Sequence, residues 1–377
     1  MPKQVLITGG AGFIGSHLAD LLLRHGHRVR VLDCLLPQVH GPDCTRPGYL
    51  DPDVELICDD VRSAGAVRRA LKDVDAVFHL AAMVGVGQSM YELGAYTSVN
   101  NLGTATLLEA LVERPVERLV VASSMSVYGE GLYRDADGAE VPAVERTPEQ
   151  LRRHQWEPRD LDGHVLCPVP TPEHKLPSLA SVYALSKYDQ EKMCLLVGAA
   201  YGIPTCALRF FNVYGTRQAL SNPYTGVLAI FASRILNGAR PRIFEDGLQR
   251  RDFVSVHDAA EACRLAMTAP AAPGGVFNVG SGAAVSVLEI AHRVAAALGR
   301  PDLAPEISGR YRVGDIRHCF ADITRARQTL GFENAFMIEF RYYVLERLRA
   351  GNDRETEGLR WLFAQLPLAD AEIQAML

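Results

Sequence analysis

Tyr183, Lys187 and Ser124 are residues whose types and spacing fit a proton-transfer site. Tyr183 and Lys187 are four residues apart, so on a helix both side chains project from one face. A phenol has a pKa of about 10, too high for a base at neutral pH, but a neighbouring ammonium group stabilises the phenolate. Ser124 ends an apolar run and is placed to share a hydrogen bond with a substrate oxygen. The alternative is an ordinary exposed helix, where this spacing of Tyr and Lys is common.

A glycine-rich segment near the start of the chain supports the catalytic interpretation. Residues 8–15 are Thr-Gly-Gly-Ala-Gly-Phe-Ile-Gly, between an apolar run and a helical pattern. In such a strand–turn–helix the glycines let the backbone approach a pyrophosphate, which the helix N-terminus attracts. Asp33 ends the second apolar run, where a carboxylate accepts a hydrogen bond from a ribose 2′-hydroxyl and repels a 2′-phosphate. The sequence therefore predicts an NAD site; the alternative is a structural turn beside a solvated aspartate.

The predicted dinucleotide site also includes residues that follow the third and fourth apolar runs. Lys187 is included because it could hold the hydroxyls of the nicotinamide ribose. The predicted NAD-binding residues are Gly9, Gly12, Phe13, Ile14, Gly15, Asp33, Asp60, Val61, Leu80, Ala81, Ala82, Asn100 and Lys187.

The scaffold for these residues follows from apolar runs that alternate with amphipathic stretches. Strands are predicted at 4–8, 28–33, 54–58, 76–80 and 118–123, and helices at 13–24, 64–71 and 95–112. Strands that are apolar throughout and alternate with helices form a parallel sheet covered on both faces. We therefore predict an α/β fold with a Rossmann-type, doubly wound parallel sheet and a smaller C-terminal α/β lobe that binds the substrate.

The length of 377 residues is enough for two domains. We assign residues 1–211 to the NAD-binding domain, 212–340 to the smaller substrate-binding lobe and 341–377 to a charged helical tail. Residues from about 131 to 178 are rich in Pro, Gly and charged residues and lack a sustained helix or strand period. We predict that they form an insertion at the surface near the site.

Composition and charge exclude several classes of protein. Lys and Arg number 39 against 44 Asp and Glu, a net charge of −5 without a long basic run, which argues against nucleic-acid binding. No apolar stretch reaches the roughly 18–20 residues that span a bilayer, and no signal-peptide pattern precedes the glycine turn. The eight cysteines contain no C-x-x-C pair, and we interpret them as buried small side chains in a reducing compartment. We expect a soluble, cytoplasmic protein without a metal, nucleic-acid or membrane partner.

Taken in chain order, these motifs resemble those of the extended short-chain dehydrogenase/reductases that act on nucleotide sugars. The similarity includes the glycine turn, His-Leu-Ala-Ala at 79–82, Ser123-Ser124, and Tyr183 through Lys187. It continues through residues 208–215, 251–258, 277–280 and 312–315, and so covers roughly residues 3 to 332.

The resemblance implies a role for each member of the catalytic group. Tyr183 would be the base, Lys187 its modulator and Ser124 the oxyanion partner. The family also implies a homodimer that pairs through the helices at 95–112 and 183–201.

Four further residues match positions that bind the nucleotide sugar in this family. Asn212 matches an asparagine that contacts the sugar diphosphate. Arg251 and Arg312 match arginines that neutralise the pyrophosphate, a task suited to the guanidinium group. Asp315 matches an acidic residue near the nucleoside ribose.

The residues after Ser124 limit the reaction. Dehydratases of this family carry an Asp-Glu pair there and related decarboxylases a nearby Glu, whereas this chain has Met125 and Ser126, which cannot do that acid–base work. The resemblance then implies NAD-dependent 4-epimerisation of a dTDP- or UDP-hexose, with residues 84–91 and the insertion most similar to 4-epimerases of dTDP-L-rhamnose and UDP-glucose. One alternative is a 4-ketoreductase, which would need NADPH, and the charge of Asp33 repels the 2′-phosphate of that cofactor. The other is a non-catalytic NAD-binding protein.

Overall fold

A computed structural model describes residues 2–141, 145–218, 226–312 and 315–334. The predicted tail at 341–377 lies outside the described residues. In chain order the strands are β1 (Gln4–Thr8), β2 (Arg28–Asp33), β3 (Glu55–Cys58), β4 (Ala76–His79), β5 (Arg118–Ser124), β6 (Leu132–Arg134), β7 (Glu140–Val141), β8 (Cys167–Val169), β9 (Thr205–Phe210), β10 (Asn212–Tyr214), β11 (Arg242–Ile243), β12 (Arg250–Arg251), β13 (Phe253–Ser255), β14 (Val276–Val279), β15 (Val285–Ser286), β16 (Glu306–Ile307) and β17 (His318–Cys319).

The helices between these strands include several short ones at the edges of the fold. They are α1 (Phe13–Arg24), α2 (Pro37–His40), α3 (Ala64–Ala70), α4 (Val86–Ser89), α5 (Leu93–Tyr96), α6 (Gly103–Glu113), α7 (Pro148–Arg152), α8 (Val182–Tyr201), α9 (Val227–Leu236), α10 (Val256–Thr268), α11 (Val287–Ala297) and α12 (Thr324–Leu330). A π-helical stretch, Thr97–Leu102, joins α5 to α6, so the chain is helical throughout the predicted range 95–112.

Seven strands of the described chain form one parallel sheet, in the order β14-β9-β5-β4-β1-β2-β3. The predicted bounds of β1, β2 and α1 are confirmed, and the other predicted strands of the sheet lie within two residues of their observed ends. From β1 the sheet extends through β2 to β3 on one side. On the other side it extends through β4, β5 and β9 to β14. Ligands bind such sheets at the carboxyl ends of the strands, where the order reverses.

The alternation of side chains along β1 divides the core between the two faces of the sheet. Val5 and Ile7 belong to one buried cluster, which includes residues of α1 and α10. Leu6 belongs to a second cluster with residues of α3, α6 and α8. Both faces of β1 are therefore buried, and the predicted doubly wound parallel sheet is confirmed.

The sheet is completed by residues from late in the chain. β14 pairs with β9 at the edge of the sheet, and α10 packs against α1. Both elements fall in the range 212–340 that the sequence assigned to the substrate lobe. The chain therefore crosses back from the lobe to the sheet, and residue 211 is not a single boundary between them.

The predicted insertion contains regular structure of its own. β6 pairs with β7 and β8 in a small antiparallel sheet, and α7 begins after Thr147, whose hydroxyl accepts a hydrogen bond from the backbone of Gln150. Backbone bonds from Gly131 to His318 and from Thr171 to Phe320 attach it to the lobe. The sequence lacked a period here because these elements are only two to five residues long.

The prediction that the cysteines are buried small side chains is only partly right. Four of them, Cys194, Cys206, Cys263 and Cys319, are buried, whereas Cys34, Cys58 and Cys167 are exposed, and Cys44 is partly exposed. Cys58 lies at the end of β3, an edge strand of the sheet, which explains its exposure. Among the described residues, no helix is both long and apolar enough to cross a bilayer.

We expect Gly15→Ala to destabilise the fold. A Cβ at residue 15 would lie 2.5 Å from the carbonyl oxygen of Gly9 and 2.6 Å from Cα of Gly10, both backbone atoms. Overpacking of this kind costs roughly 1–3 kcal/mol, and the free energy of unfolding in urea measures it. The control is Gly94→Ala in α5, whose Cβ would meet open space within the described structure and which should stabilise the helix by up to ~1 kcal/mol. Equal stabilities of the two variants would contradict the close packing of the turn.

Candidate active site

A cleft of about 690 Å³ opens at the carboxyl ends of the sheet strands. It brings together residues that are distant in sequence, and most of the predicted site residues line it. Those are Gly9, Gly12, Phe13, Ile14, Gly15, Asp33, Asp60, Val61, Leu80, Ala81, Ala82, Ser124, Tyr183, Lys187, Asn212, Arg251 and Asp315. Asn100 and Arg312 do not line it.

The glycine turn is shaped by backbone contacts on one side and is open on the other. Gly9 has a φ of +69°, and a Cβ there would lie 2.8 Å from the backbone of Ala81. A Cβ on Gly12 would meet only the carbonyl oxygen of Gly9, at 3.3 Å. α1 begins at Phe13 and has no side-chain cap at Gly12, so the N–H groups of its first turn remain available. The open side of this turn fits the pyrophosphate of a dinucleotide.

The Asp33 carboxylate is fixed beside this turn. It accepts hydrogen bonds from the backbone N–H of Ala11 at 3.0 Å and of Leu35 at 2.9 Å. A carboxylate offers about four acceptor sites, so capacity remains for the hydroxyls of a ribose. Its charge opposes a phosphate at the same place, and Arg62 does not offset it because that guanidinium binds Asp60.

Asp60 and Asn100 hold other parts of the cleft wall. The hydrogen bonds from Arg62 lower the pKa of Asp60, so its carboxylate stays charged. The amide of Asn100 is buried: it accepts from the backbone N–H of Met83 at 2.7 Å and donates to the hydroxyl of Ser186 at 2.9 Å. Asn100 therefore joins the segment after β4 to α8 from behind the cleft, without facing it.

Ser124 and Tyr183 meet at the floor of the cleft. The hydroxyl of Ser124 hydrogen-bonds to Tyr183; burial raises the pKa of the phenol, and this bond opposes the rise. Ser126 contacts the same hydroxyl twice, through its backbone N–H at 3.2 Å and its own hydroxyl at 2.9 Å. Ser124 therefore lies between Ser126 and Tyr183, where its hydroxyl can donate to the phenol oxygen. The sequence did not identify Ser126 as part of this group.

Lys187 is buried beneath the cleft, one turn further along α8. Burial lowers the pKa of its ammonium group to about 8. Its Nζ donates to Oε1 of Gln190 at 2.7 Å, and the Gln190 amide donates to Thr104 at 2.8 Å. Gln190 was missed by the sequence analysis, although a polar residue three positions after Lys187 shares its helix face.

His79 stays neutral beside Lys187. Burial, with a smaller contribution from the Lys187 charge, lowers the pKa of the imidazole to about 3. Its two ring nitrogens lie 2.8 Å from the hydroxyls of Thr8 and Thr104. A neutral ring avoids a second positive charge next to the buried lysine.

On the substrate side of the cleft, one polar group has no hydrogen-bond partner among the described residues and another is held by hydrogen bonds. Oδ1 of Asn212 is buried and has no hydrogen-bond partner among the described residues, which marks a position for a ligand donor. The guanidinium of Arg251 lines the cleft while it donates to the carbonyl oxygens of Ile316 and Arg317. Arg312 is exposed outside the cleft lining, with its guanidinium carbon 4.7 Å from the centre of the Phe244 ring, and its contact with a pyrophosphate stays a prediction.

Comparisons with known proteins agree with this geometry. A family model described as the NAD-dependent epimerase/dehydratase family matches residues 5–151 and 168–280. A dTDP-L-rhamnose 4-epimerase of Burkholderia thailandensis is 36% identical over 341 residues, which cover 89% of this chain and 92% of that protein.

Two solved structures are similar throughout the fold. The UDP-glucose 4-epimerase of Thermotoga maritima, solved with UDP-glucose, is 29% identical with a TM-score of 0.72, over 89% of this chain and 95% of that one. The UDP-glucose 4-epimerase of Thermus thermophilus, solved with NAD, is 32% identical with a TM-score of 0.69, over 88% and 94%.

The buried ammonium of Lys187 should be visible in the pH dependence of stability. Because the folded pKa is about 8 against an ordinary 10.5, the unfolded chain holds this proton above pH 8 and the folded protein does not. The free energy of unfolding of the wild type should therefore rise from pH 8 to 10 relative to that of Lys187→Met, by up to about 1.4 kcal/mol per pH unit. Urea denaturation of the dinucleotide-free proteins measures the difference, and parallel curves would show that Lys187 is not buried as an ammonium.

Proposed function

The chain belongs to the NAD-dependent epimerase/dehydratase family, and we propose that it inverts C4 of a dTDP- or UDP-hexose through a transient 4-keto sugar. The observation that carries this proposal is that Ser124, Tyr183 and Lys187 line the same cleft as the glycine turn. NAD, which the cleft residues fit, supplies the acceptor and donor for the hydride at C4 when it is bound.

Tyr183 is proposed to move the proton of the C4 hydroxyl. As the C4–H bond breaks, the phenolate accepts that proton, and it returns it when the alcohol forms again on the other face. The hydrogen from Ser124 stabilises the phenolate, and the ammonium of Lys187 does so through its charge. The bond from Ser124 opposes the rise in the pKa of Tyr183 that burial causes.

The neighbours of Ser124 favour epimerisation over elimination. Loss of water from a 4-keto sugar needs an acid and a base near C5 and C6, and neither Met125 nor Ser126 can serve at neutral pH. Met125 is buried in an apolar cluster, and the Ser126 hydroxyl is engaged by Ser124. The keto sugar is therefore held until the hydride returns.

Inversion requires the sugar to present both faces while the nucleotide stays bound. The first turn of α1 and Arg251 are the proposed positive groups for the two diphosphates of dinucleotide and substrate, with Asn212 and Asp315 beside the nucleotide sugar. One similar protein is named for dTDP-L-rhamnose and others for UDP-glucose, which supports dTDP- and UDP-hexoses as the substrates to test.

The purified protein should interconvert C4 epimers of a dTDP- or UDP-hexose without added cofactor. NMR of a panel of these sugars detects inversion at C4 directly. Sustained consumption of NADH or NADPH with no epimer formed would instead indicate a 4-ketoreductase, and no reaction with any sugar would favour a non-catalytic NAD-binding protein.

Tyr183→Phe should lower kcat by about 10²-fold or more while the protein keeps its NAD, because the phenol oxygen is the only group removed. Bound NAD is measured after denaturation of the purified protein. The matched control is Tyr188→Phe on the same helix, since Tyr188 does not line the cleft. Activity of Tyr183→Phe equal to the control would remove Tyr183 from the proposed role.

A homodimer is the second part of this proposal, together with a cytoplasmic location and a role in carbohydrate metabolism. Leu102, Leu185 and Leu196 are 56%, 46% and 69% exposed on the helices that the sequence analysis assigned to pairing. Exposed leucines on adjacent helices favour burial against a second copy.

Sedimentation should show a dimer that Leu102→Lys with Leu196→Lys converts to a monomer. The control is Leu161→Lys, because Leu161 is fully exposed in the insertion, away from these helices. A wild type that sediments as a monomer would contradict the homodimer.

A further inference from the structure

The insertion contacts one short segment at the rim of the cleft. We call the described part of the insertion, residues 131–141 and 145–178, the brace, and residues 310–312 and 315–317 the rim segment. The rim segment includes Asp315, which the proposed function places beside the nucleotide sugar, and Arg312, which the sequence predicted at the pyrophosphate.

A buried arginine of the brace holds the rim segment by its backbone. The side chain of Arg146 is only 3% exposed. Its guanidinium donates to the carbonyl oxygen of Asp315 at 2.7 Å and to Oε1 of Glu245 at 2.7 Å. A hydrogen bond from a charged donor is among the stronger hydrogen bonds in proteins.

An aromatic contact attaches the other end of the rim segment. The ring of Trp156 lies 6.1 Å from that of Tyr311, next to Arg312, and stacks on His154 at 5.0 Å. The backbone carbonyl of Arg310 also accepts from the N–H of Glu245 at 2.7 Å. The rim segment is therefore held on both sides of its predicted substrate residues.

A cluster of charges around the buried Arg317 strengthens this attachment. The side chain of Arg317 is 0% exposed and pairs with Glu157 of the brace and with Glu245 and Asp246 of the lobe. Burial alone would raise the pKa of Glu157, but hydrogen bonds from His318 and Arg317 lower it to about 2. Its charge is thus kept at every pH at which the protein would work, and the brace and lobe stay joined.

The rim segment also contacts the cleft directly. Arg251, which lines the cleft, donates to the carbonyl oxygens of Ile316 and Arg317. The rim segment thus lies between Arg146 on the side of the brace and Arg251 on the side of the cleft. A shift of the segment would move Asp315 and Arg251 together.

We propose that the brace fixes the rim segment in the shape that receives the nucleoside diphosphate of the substrate, with Arg146 as a positioning residue. This rests on the proposed function. Without the brace the segment would be ordered only on binding, and that cost would weaken the affinity for the nucleotide. The dinucleotide side of the cleft and the Ser124–Tyr183 pair do not contact the brace through Arg146, so they are unaffected.

The test compares two variants of the full chain with a control from the same insertion. Arg146→Lys keeps the charge beside Glu245 and loses the fork that also reaches Asp315. Trp156→Leu removes the second contact independently, should Arg146→Lys fail to fold. The control is Arg152→Lys, an exposed arginine that pairs with Glu149 three residues before it.

Calorimetry with UDP and with dTDP measures the nucleotide affinity without any need for turnover. We expect the Kd to rise about tenfold in each variant, as for the loss of one charged hydrogen bond, and KM to rise with it. The kcat, the bound NAD and the Kd of the control should stay near wild type.

An unchanged Kd in a folded Arg146→Lys or Trp156→Leu protein would overturn the proposal, as would a fall confined to kcat. A wild type that binds UDP or dTDP but inverts no sugar would remove the epimerase proposal and leave the brace intact. A wild type that binds neither nucleotide would overturn both.

Discussion

The buried ion pair between Arg209 and Glu191 joins β9 to the two elements, β5 and α8, on which the catalytic residues lie. Arg209 donates from Nε and from one terminal nitrogen to the two carboxylate oxygens of Glu191, at 2.8 and 2.7 Å, and Ser123 donates to the same carboxylate at 2.7 Å. Ser123 precedes Ser124 on β5, Glu191 is one turn after Lys187 on α8, and Arg209 is on β9. The pair therefore sets the separation of Ser124 from α8 more firmly than apolar packing would, because a guanidinium and a carboxylate fit in one orientation.

The site also depends on a buried positive charge, that of Lys187, which has no carboxylate hydrogen-bond partner among the described residues. Most buried ions of the described chain are neutralised in place: Arg209 by Glu191, Arg317 by three carboxylates. Lys187 differs, because its ammonium is held by the neutral amide of Gln190, and the adjacent His79 carries no charge. A buried ammonium without a carboxylate partner lowers the stability of the fold. Because no carboxylate neutralises it, its positive charge can stabilise the phenolate of Tyr183.

The sequence predicted those parts of the fold that depend on local pattern. The apolar runs of β1 and β2, the periodicity of α1 and the glycine turn all depend on neighbours within a few residues, and so they could be recognised. The spacing of Tyr183 and Lys187 was informative for the same reason, since a helix converts spacing into direction.

Other features could not be recognised because they depend on contacts between distant segments. Arg146 is a buried hydrogen-bond donor because Glu245 and Asp315, both far along the chain, lie beside it. Asn100 is a residue type suited to a ligand contact, but its amide is buried against Met83 and Ser186 and does not line the cleft. The return of β14 to the sheet leaves no local signal either, since a short apolar strand looks the same in either lobe.

The return of the chain to the sheet at α10 and β14 affects folding during synthesis. α1 is covered by α10, and the edge of the sheet next to β9 is closed by β14. Until the ribosome has released residues up to about the end of β14, the nascent chain exposes an apolar helix face and an unpaired strand edge, both of which promote aggregation. The dinucleotide half of the protein therefore cannot fold to completion ahead of the rest, and its long-range contacts predict slow folding. The first half is protected from aggregation only after β14 and α10 have been translated and have packed on the sheet.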